Sequence, residues 1–371
     1  MSTESLGELD LAERLSRWPA IWLRDNCRCP DCRDPRNGQK LFGITDLSPR
    51  PTVLGVTQGV TADGAAAFVE FEPQHRGVYP LEWLRSVEAG SAGGDARTER
   101  AKVLWRAADL AGGLPTARWS DYLADPAERL RALTSVRELG FLLLRDVPQQ
   151  PRTVLEVAET FGYVRRTNYG ELFDVRVVAE PNNLAFTSKR ITPHTDNPYR
   201  DPVPTIQLLH CLRNAAEGGD SGLVDGFYAA SLLRDKNPEA FQVLTRTPVP
   251  FQFSDARTVL RAERPIIDVD PVGRIREVRF NNRSIQALTL PAEQLVRFYE
   301  AYRYFAELID QPELRLDLRL NPGDCLVFDN VRLLHARTAY AESGARHLQG
   351  CYADLDSLFS AEAVLRREVT A

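Results

Sequence analysis

Between residues 20 and 87 the apolar positions fall into four short runs, IWLRDN, KLFGI, AAAFVEFEP and VYPLEWLRS, each fenced by polar segments that carry proline or glycine. Runs of this length between turn-forming residues predict strands, and four together predict a small β-rich unit. SAGGDA (91–96) and DLAGGLPTARWS (109–120) then bring glycine and small residues, the composition of a connector. The boundary is expected between about 90 and 120, which gives domains of 1–110 and 111–371.

Beyond the connector the pattern changes period repeatedly. RELGFLLLRDVP and TIQLLHCL have the continuous apolar runs of buried strands, whereas PRTVLEVAETFGYV opens on proline and has helical spacing. GLVDGFYAASLLRDKNPEAFQVLTRTP predicts a short strand and two short helices, and PAEQLVRFYEAYRYFAELIDQ the longest amphipathic helix. IIDVD and IREVRFNN flank a Pro-Val-Gly turn, and LRLDLRL, CLVFDN and LLHART follow one another through tight turns such as NPGD. Elsewhere strands are expected to prevail. Many short strands with peripheral helices predict a mainly β fold, a double-stranded β-helix of jelly-roll type.

Composition narrows the partners. The 371 residues are 43% hydrophobic and 26% charged, with a formal net charge of -5. No basic face dominates such a chain, so a nucleic-acid partner is not expected. No run approaches eighteen apolar residues and the first fifteen positions carry acids, so neither membrane nor secretion is expected and the cytoplasm is. Six cysteines, three of them within residues 27–32, do not make the framework of a small disulfide-rich domain.

Candidate chemistry starts in ITPHTDNPYRDPVP (191–204), where His194 and Asp196 stand two apart on an extended segment and so face the same way. They can share one ion if a third ligand joins them. His210, inside TIQLLHCL, reads as a core histidine; His335, at the end of CLVFDNVRLLH, can return to the same loop and is the better third ligand. Two histidines and one carboxylate with open positions suit non-haem Fe(II) oxygenases. Eleven residues further on, Arg346 offers a fork of donors that clamps a carboxylate, as holding 2-oxoglutarate would require. In the N-terminal part, Cys27, Cys29 and Cys32 are close enough to select zinc, and His75 is the one histidine there to complete a closed, structural site.

HTDNPYRDPVP, GGDSGLVDGF, NPGDCLVFDNVRLLHART and RHLQGCYADLD together resemble the γ-butyrobetaine hydroxylase group of Fe(II)/2-oxoglutarate dioxygenases, within the TauD-like superfamily. IWLRDNCRCPDC resembles that group's small zinc domain, whose zinc-binding histidine falls at His75. The resemblance implies iron at His194, Asp196 and His335, and the distal carboxylate of 2-oxoglutarate at Arg346. It further implies an aromatic cage for a quaternary ammonium group at Tyr169, Phe173, Phe186 and Tyr352, with Asn183 and Asn281 at the substrate's anionic end. Asn197 stands where the animal enzyme has tyrosine, and Arg283 can share the strand face of Asn281 and add a charge-assisted contact. The implied reaction hydroxylates γ-butyrobetaine to carnitine, with O2 as co-substrate, ascorbate as reductant and a homodimer as the assembly. The departures leave room for a more strongly anionic analogue such as 2-(trimethylammonio)ethylphosphonate.

Three rivals compete with this reading. Gly219-Asp220-Ser221-Gly222 copies a serine-protease nucleophile segment, but Leu223 follows it where that family has glycine. A non-catalytic quaternary-amine-binding jelly roll would need the cage but neither Arg346 nor the full ligand set, and a hydrolytic zinc enzyme would not need Arg346.

Overall fold

On the strand of residues 64–72 the side chains of Ala67, Val69 and Phe71 alternate into a core, while the preceding strand buries none of its residues. The protein is described by a computed structural model covering residues 8–88, 102–176, 187–341 and 344–370, which divides into two compact units, 1–100 and 101–371.

In the smaller unit β1 (Thr52–Thr61), β2 (Gly64–Glu72) and β3 (His75–Pro80) form an antiparallel meander. Its buried side chains meet Leu11 and Leu15 of α1 (Glu8–Leu15), Leu23 of α2 (Ala20–Asp25) and Leu81 and Leu84 of α3 (Leu81–Glu88). Only part of the expected strand set is present. IWLRDN is the helix α2, KLFGI forms no strand beyond an isolated bridge at Lys40, and VYPLEWLRS breaks at Pro80 into the end of β3 and α3. Runs of five or six residues are too short for a period of two to be told from one of 3.6. β1 escapes the apolar pattern because none of its ten residues is buried.

In the larger unit one sheet has the order β4 (Thr116–Arg118), β5 (Phe141–Arg145), β15 (Cys325–Asp329), β8 (Ile206–Asn214), β17 (Arg346–Ala353), β6 (Phe173–Val175). A second has β14 (Arg315–Leu318), β9 (Ser221–Asp225), β16 (Leu333–Arg337), β7 (Ile191–His194). All neighbours are antiparallel except β4 with β5. FLLLR and CLVFD are apolar nearly throughout because the six-stranded sheet is covered on both sides. Leu142, Leu144, Ile206, Leu208, Val327 and Ala353 pack against α4 (Trp119–Ala124), α5 (Pro126–Leu139), α6 (Thr153–Glu159) and α10 (Leu355–Thr370). Phe141, Leu143, Leu326 and Phe328 instead meet Leu223, Leu318 and Leu333 of the second sheet.

The second sheet's other face, through Val224 and Leu334, lies on α7 (Gly226–Lys236), α8 (Pro238–Arg246) and α9 (Ala292–Ile309). Two hairpins, β10 (Val249–Ser254) with β11 (Val259–Arg264) and β12 (Ile267–Val269) with β13 (Ile275–Val278), complete this side. Two sheets around a shared core, with helices outside, are consistent with the expected jelly roll.

α5 and α10 correct the expectation that strands prevail outside the named helices. α5 has clear end signals, with Asp125 accepting a hydrogen bond from the Ala127 amide, Pro126 at its first turn and Gly140 at φ 86 closing it. α10 buries only Leu358, Glu362 and Leu365, too thin a stripe to announce a helix. The two are joined by an ion pair of 2.9 Å between Arg137 and Glu362, both buried. Among the described residues no helix is long and apolar enough to cross a membrane.

Candidate active site

Strand register brings the two histidines together. β7 ends on His194, which lies directly opposite His335 of β16, and the imidazole centroids are 4.1 Å apart. Beyond β7 the loop is tied down by Asn330, in the turn between β15 and β16. Its Oδ1 accepts from the Asp196 amide at 2.9 Å and its Nδ2 donates to the Asp196 carbonyl at 3.0 Å. Asp196 is thereby held beside both rings, with Oδ1 3.4 Å from His194 Nε2 and Oδ2 3.9 Å from His335 Nε2. One ligand atom from each of the three lies within 4.8 Å of the others.

The electrostatics suit a cation. His194 Nδ1 lies 2.9 Å from the Thr192 carbonyl, so the proton belongs there and Nε2 keeps its lone pair. Burial, reinforced by the adjacent His194, pushes His335 down to about 3, which leaves it neutral. Burial alone would raise the Asp196 carboxyl, but the polar groups around it, His194 and His335 foremost and Arg283 beyond them, outweigh it and hold the group below the usual carboxylate range. Neutral imidazoles and an ionised carboxylate are the forms that ligate.

Arg346 opens β17 on the same cavity and is 7% exposed. Its Nη2 donates to the Gly219 carbonyl at 3.2 Å and its guanidinium lies 5.1 Å from the Tyr340 ring centroid. Gly219 has φ 73, and a Cβ there would stand 2.9 Å from Arg346 Nε, so glycine is needed on both counts. Arg346 Nε and Nη1 are buried with no hydrogen-bond partner. A buried guanidinium with two idle donors fits an incoming carboxylate. Arg346→Gln is expected to raise the half-saturating 2-oxoglutarate concentration by about 30-fold or more, corresponding to about 2 kcal/mol or more for truncating one partner of a buried charge pair. A titration of turnover against 2-oxoglutarate checks it.

These groups line a cavity of about 530 Å³. Tyr169, Phe173 and Tyr352 form one aromatic wall, with Phe173 5.1 Å from Tyr352 and 6.5 Å from Tyr169 between ring centroids. Phe173 reaches this position because Gly350, its register partner on β17, has no side chain. A Cβ there would come within 2.4 Å of the Phe173 ring.

Residues 101–352 match the family model described as "Taurine catabolism dioxygenase TauD, TfdA family". The chain belongs to the TauD/TfdA family. It is therefore a 2-oxoglutarate-dependent dioxygenase, and residues 10–85 match a second model, "Gamma-butyrobetaine hydroxylase-like, N-terminal". Among TauD/TfdA relatives, the chain is 36% identical to the gamma-butyrobetaine dioxygenase of Pseudomonas sp. (strain AK-1) over 95% of its own length and 92% of the relative's. It is 31% identical to the gamma-butyrobetaine dioxygenase of Homo sapiens, over 96% and 93%. Among solved structures, an asparagine oxygenase in complex with Fe(II), 2S,3S-3-hydroxyasparagine and succinate superposes with a TM-score of 0.50 at 19% identity, covering 64% of this chain and 83% of that one, and shares the fold.

Within this TauD/TfdA barrel the structure adds Tyr199, Phe253 and Gln207, which the sequence did not single out, and gives Tyr352 and Asn197 new partners. Tyr199 and Phe253 extend the aromatic wall; the Tyr199 hydroxyl is 2.9 Å from that of Tyr169, and its ring is 5.2 Å from Phe253. Tyr199 lies in the same short stretch as His194, but nothing in the spacing marks it. Gln207 and Tyr352 both reach the Asp196 carboxylate. Asn197 sits at φ 57 with its Oδ1 accepting from Tyr199, and its Nδ2 is buried without a partner.

Other expected residues fare differently. Asn281 lines the cavity, but its Nδ2 donates to the Thr195 carbonyl at 3.1 Å and its Oδ1 accepts from the Arg283 amide at 3.2 Å, so its amide already braces backbone. Arg283 stands at the rim and its charge reaches Asp196; among the described residues it forms no ion pair. Asn183 and Phe186 lie outside the described residues. His210 is fully buried, and burial pushes it down to about 4, as befits a neutral core residue. Ser221 lies opposite Arg337 on β16, with no histidine hydrogen-bonded to it among the described residues, which leaves the serine-hydrolase rival without a base.

In the smaller unit His75 Nε2 lies 3.3, 3.8 and 3.5 Å from the sulfurs of Cys27, Cys29 and Cys32. All four ligand atoms fall within 4.8 Å of one another. Burial pushes the Cys27 thiol up to about 12 and raises Cys32, while burial lowers His75. Three buried thiols around a neutral imidazole suit a tetrahedral divalent cation.

Removing the space that admits Phe173 tests the aromatic wall. Gly350→Ala is expected to raise KM for a quaternary-ammonium substrate about 10-fold, the order of one lost cation–π contact of about 1–2 kcal/mol. The half-saturating 2-oxoglutarate concentration should stay unchanged, and steady-state kinetics in each ligand separates the two.

Proposed function

We propose that this dioxygenase hydroxylates γ-butyrobetaine to carnitine. The observation that carries the reading is the convergence of His194, Asp196 and His335 in a cavity that is also lined by a buried Arg346 with two idle donors and by aromatic rings. In this reading His194, Asp196 and His335 hold Fe(II), and Arg346 takes the distal carboxylate of 2-oxoglutarate. With O2, that pair supplies the oxidant for an unactivated C–H bond and leaves succinate and CO2.

The protein's part is to place one C–H bond beside the metal. Tyr169, Phe173 and Tyr352, with Phe186, face the trimethylammonium group, whose charge is drawn to aromatic faces. The resemblance assigns Asn183 and Asn281 to the other end of the substrate, and Asn197, whose Nδ2 is buried without a partner, is a further polar group for it. Cys27, Cys29, Cys32 and His75 hold a structural zinc in a domain ending near residue 110, ahead of the jelly roll of 111–371. Ascorbate as reductant and a homodimer in the cytoplasm belong to the same reading.

Arg283 favours a second substrate. A guanidinium at the rim pairs more strongly with a phosphonate than with a carboxylate, which points to 2-(trimethylammonio)ethylphosphonate. The deciding experiment gives both compounds in parallel to anaerobically purified, Fe(II)-loaded protein with 2-oxoglutarate, ascorbate and air, and follows succinate. Stimulation by γ-butyrobetaine supports the first reading, and stimulation by the phosphonate alone replaces it with the second. A non-catalytic binding protein would bind either compound and release no succinate.

A further inference from the structure

Gln207 is an anomaly of the cavity wall. It projects from β8, is 1% exposed, and uses its Nε2 to donate to Asp196 Oδ2 at 2.9 Å. Its Oε1 is buried with no donor in reach. The opposite amide orientation would set Oε1 against the carboxylate, so the orientation is fixed by Asp196 alone. The Tyr352 hydroxyl donates to the same Oδ2 at 3.0 Å. Two donors thus occupy one oxygen of Asp196, and Oδ1, the oxygen nearer His194 Nε2, is left to the cavity.

An orphaned buried acceptor destabilises a fold. Its neighbours on β8, Ile206 and Leu208, and the next residue to line the cavity, Leu209, are apolar, and an apolar residue at 207 would avoid that penalty. We propose that Gln207 is a positioning residue retained at the expense of stability: its amide pins Asp196 so that a single carboxylate oxygen faces the metal and neighbouring coordination positions stay open for 2-oxoglutarate and O2. The inference rests on the iron site of the proposed function.

Removal of this donor should therefore move stability and metal affinity in opposite directions, which a purely structural residue would not do. In Gln207→Met, the metal-free barrel should melt at the same temperature as the parent or higher, while Co(II) affinity falls about 10–100-fold, the cost typical of losing an outer partner of a ligand. Co(II) replaces Fe(II) to avoid oxidation during titration, and the signal lost in His194→Ala defines binding at this site. Gln207→Asn, which keeps the amide but shortens its reach, should lose affinity likewise and stands in if the methionine variant does not fold. Unchanged Co(II) affinity in the variants, or affinity lost in step with melting temperature, would overturn the proposal. Parent protein without any Co(II) signal that depends on His194 would instead sink the iron site itself, and the proposal with it.

Discussion

His194→Ala is expected to abolish 2-oxoglutarate turnover, lowering succinate formation by more than the about 10–100-fold that loss of an outer partner costs at a metal site. The substitution removes one of the three side chains proposed to hold iron, and His335 and Asp196 alone cannot supply the donor set that a divalent ion needs. The fold should survive, because the imidazole belongs to the cavity wall and contributes to none of the apolar cores. Succinate quantified beside a thermal melt checks both halves; a variant that keeps turnover would show that the iron is held elsewhere.

If the cysteine cluster holds the proposed zinc, stripping it should unfold residues 8–88 while leaving the barrel standing. Cys27, Cys29 and Cys32 make up a quarter of the twelve buried residues in this unit's core, and a domain this small has little other apolar surface to fold around. Without the cation the three sulfurs have only the His75 imidazole as a common neighbour, whereas binding at a structural zinc site contributes about 10–16 kcal/mol at neutral pH. Each thiol must lose its proton to ligate, and burial raises Cys27 and Cys32, so zinc affinity falls as pH falls. Trp18, Trp22 and Trp83 stack in this unit, with centroids 4.1 and 6.0 Å apart, and report on it directly. Loss of near-ultraviolet dichroism on chelation, restored by Zn(II), is the expected result; a signal indifferent to chelators would remove the metal from the fold.

The sequence was most legible where burial on both faces leaves an unbroken apolar run, as in FLLLR and CLVFD, because no amphipathic alternation is needed to recognise such strands. It was least legible in the small unit, where α2 is six residues long and β1 buries nothing. The positions of His194, Asp196, His335 and Arg346 were readable because chemistry selects rare residue types in short motifs. Gln207, Asn330 and Gly350 were not. Their importance lies in contacts across strands, Gln207 and Asn330 to Asp196 and Gly350 to Phe173, and a single chain read in order carries no register.

With the proposed ligand set, the opposition of His194 to His335 also sets when in the life of the chain iron can enter. During synthesis His194, at the end of β7, and Asp196, in the loop beyond it, emerge before the strand that pairs with β7 exists. β16 belongs between β9 and β7, so the third ligand arrives only after nearly the whole barrel sequence has been made and a long loop has been closed. Two ligands on an unpaired segment bind a divalent ion weakly. On that ligand set a redox-active metal would find its full donor set only in a finished barrel, and not on the nascent chain, where stray oxidation damages exposed side chains.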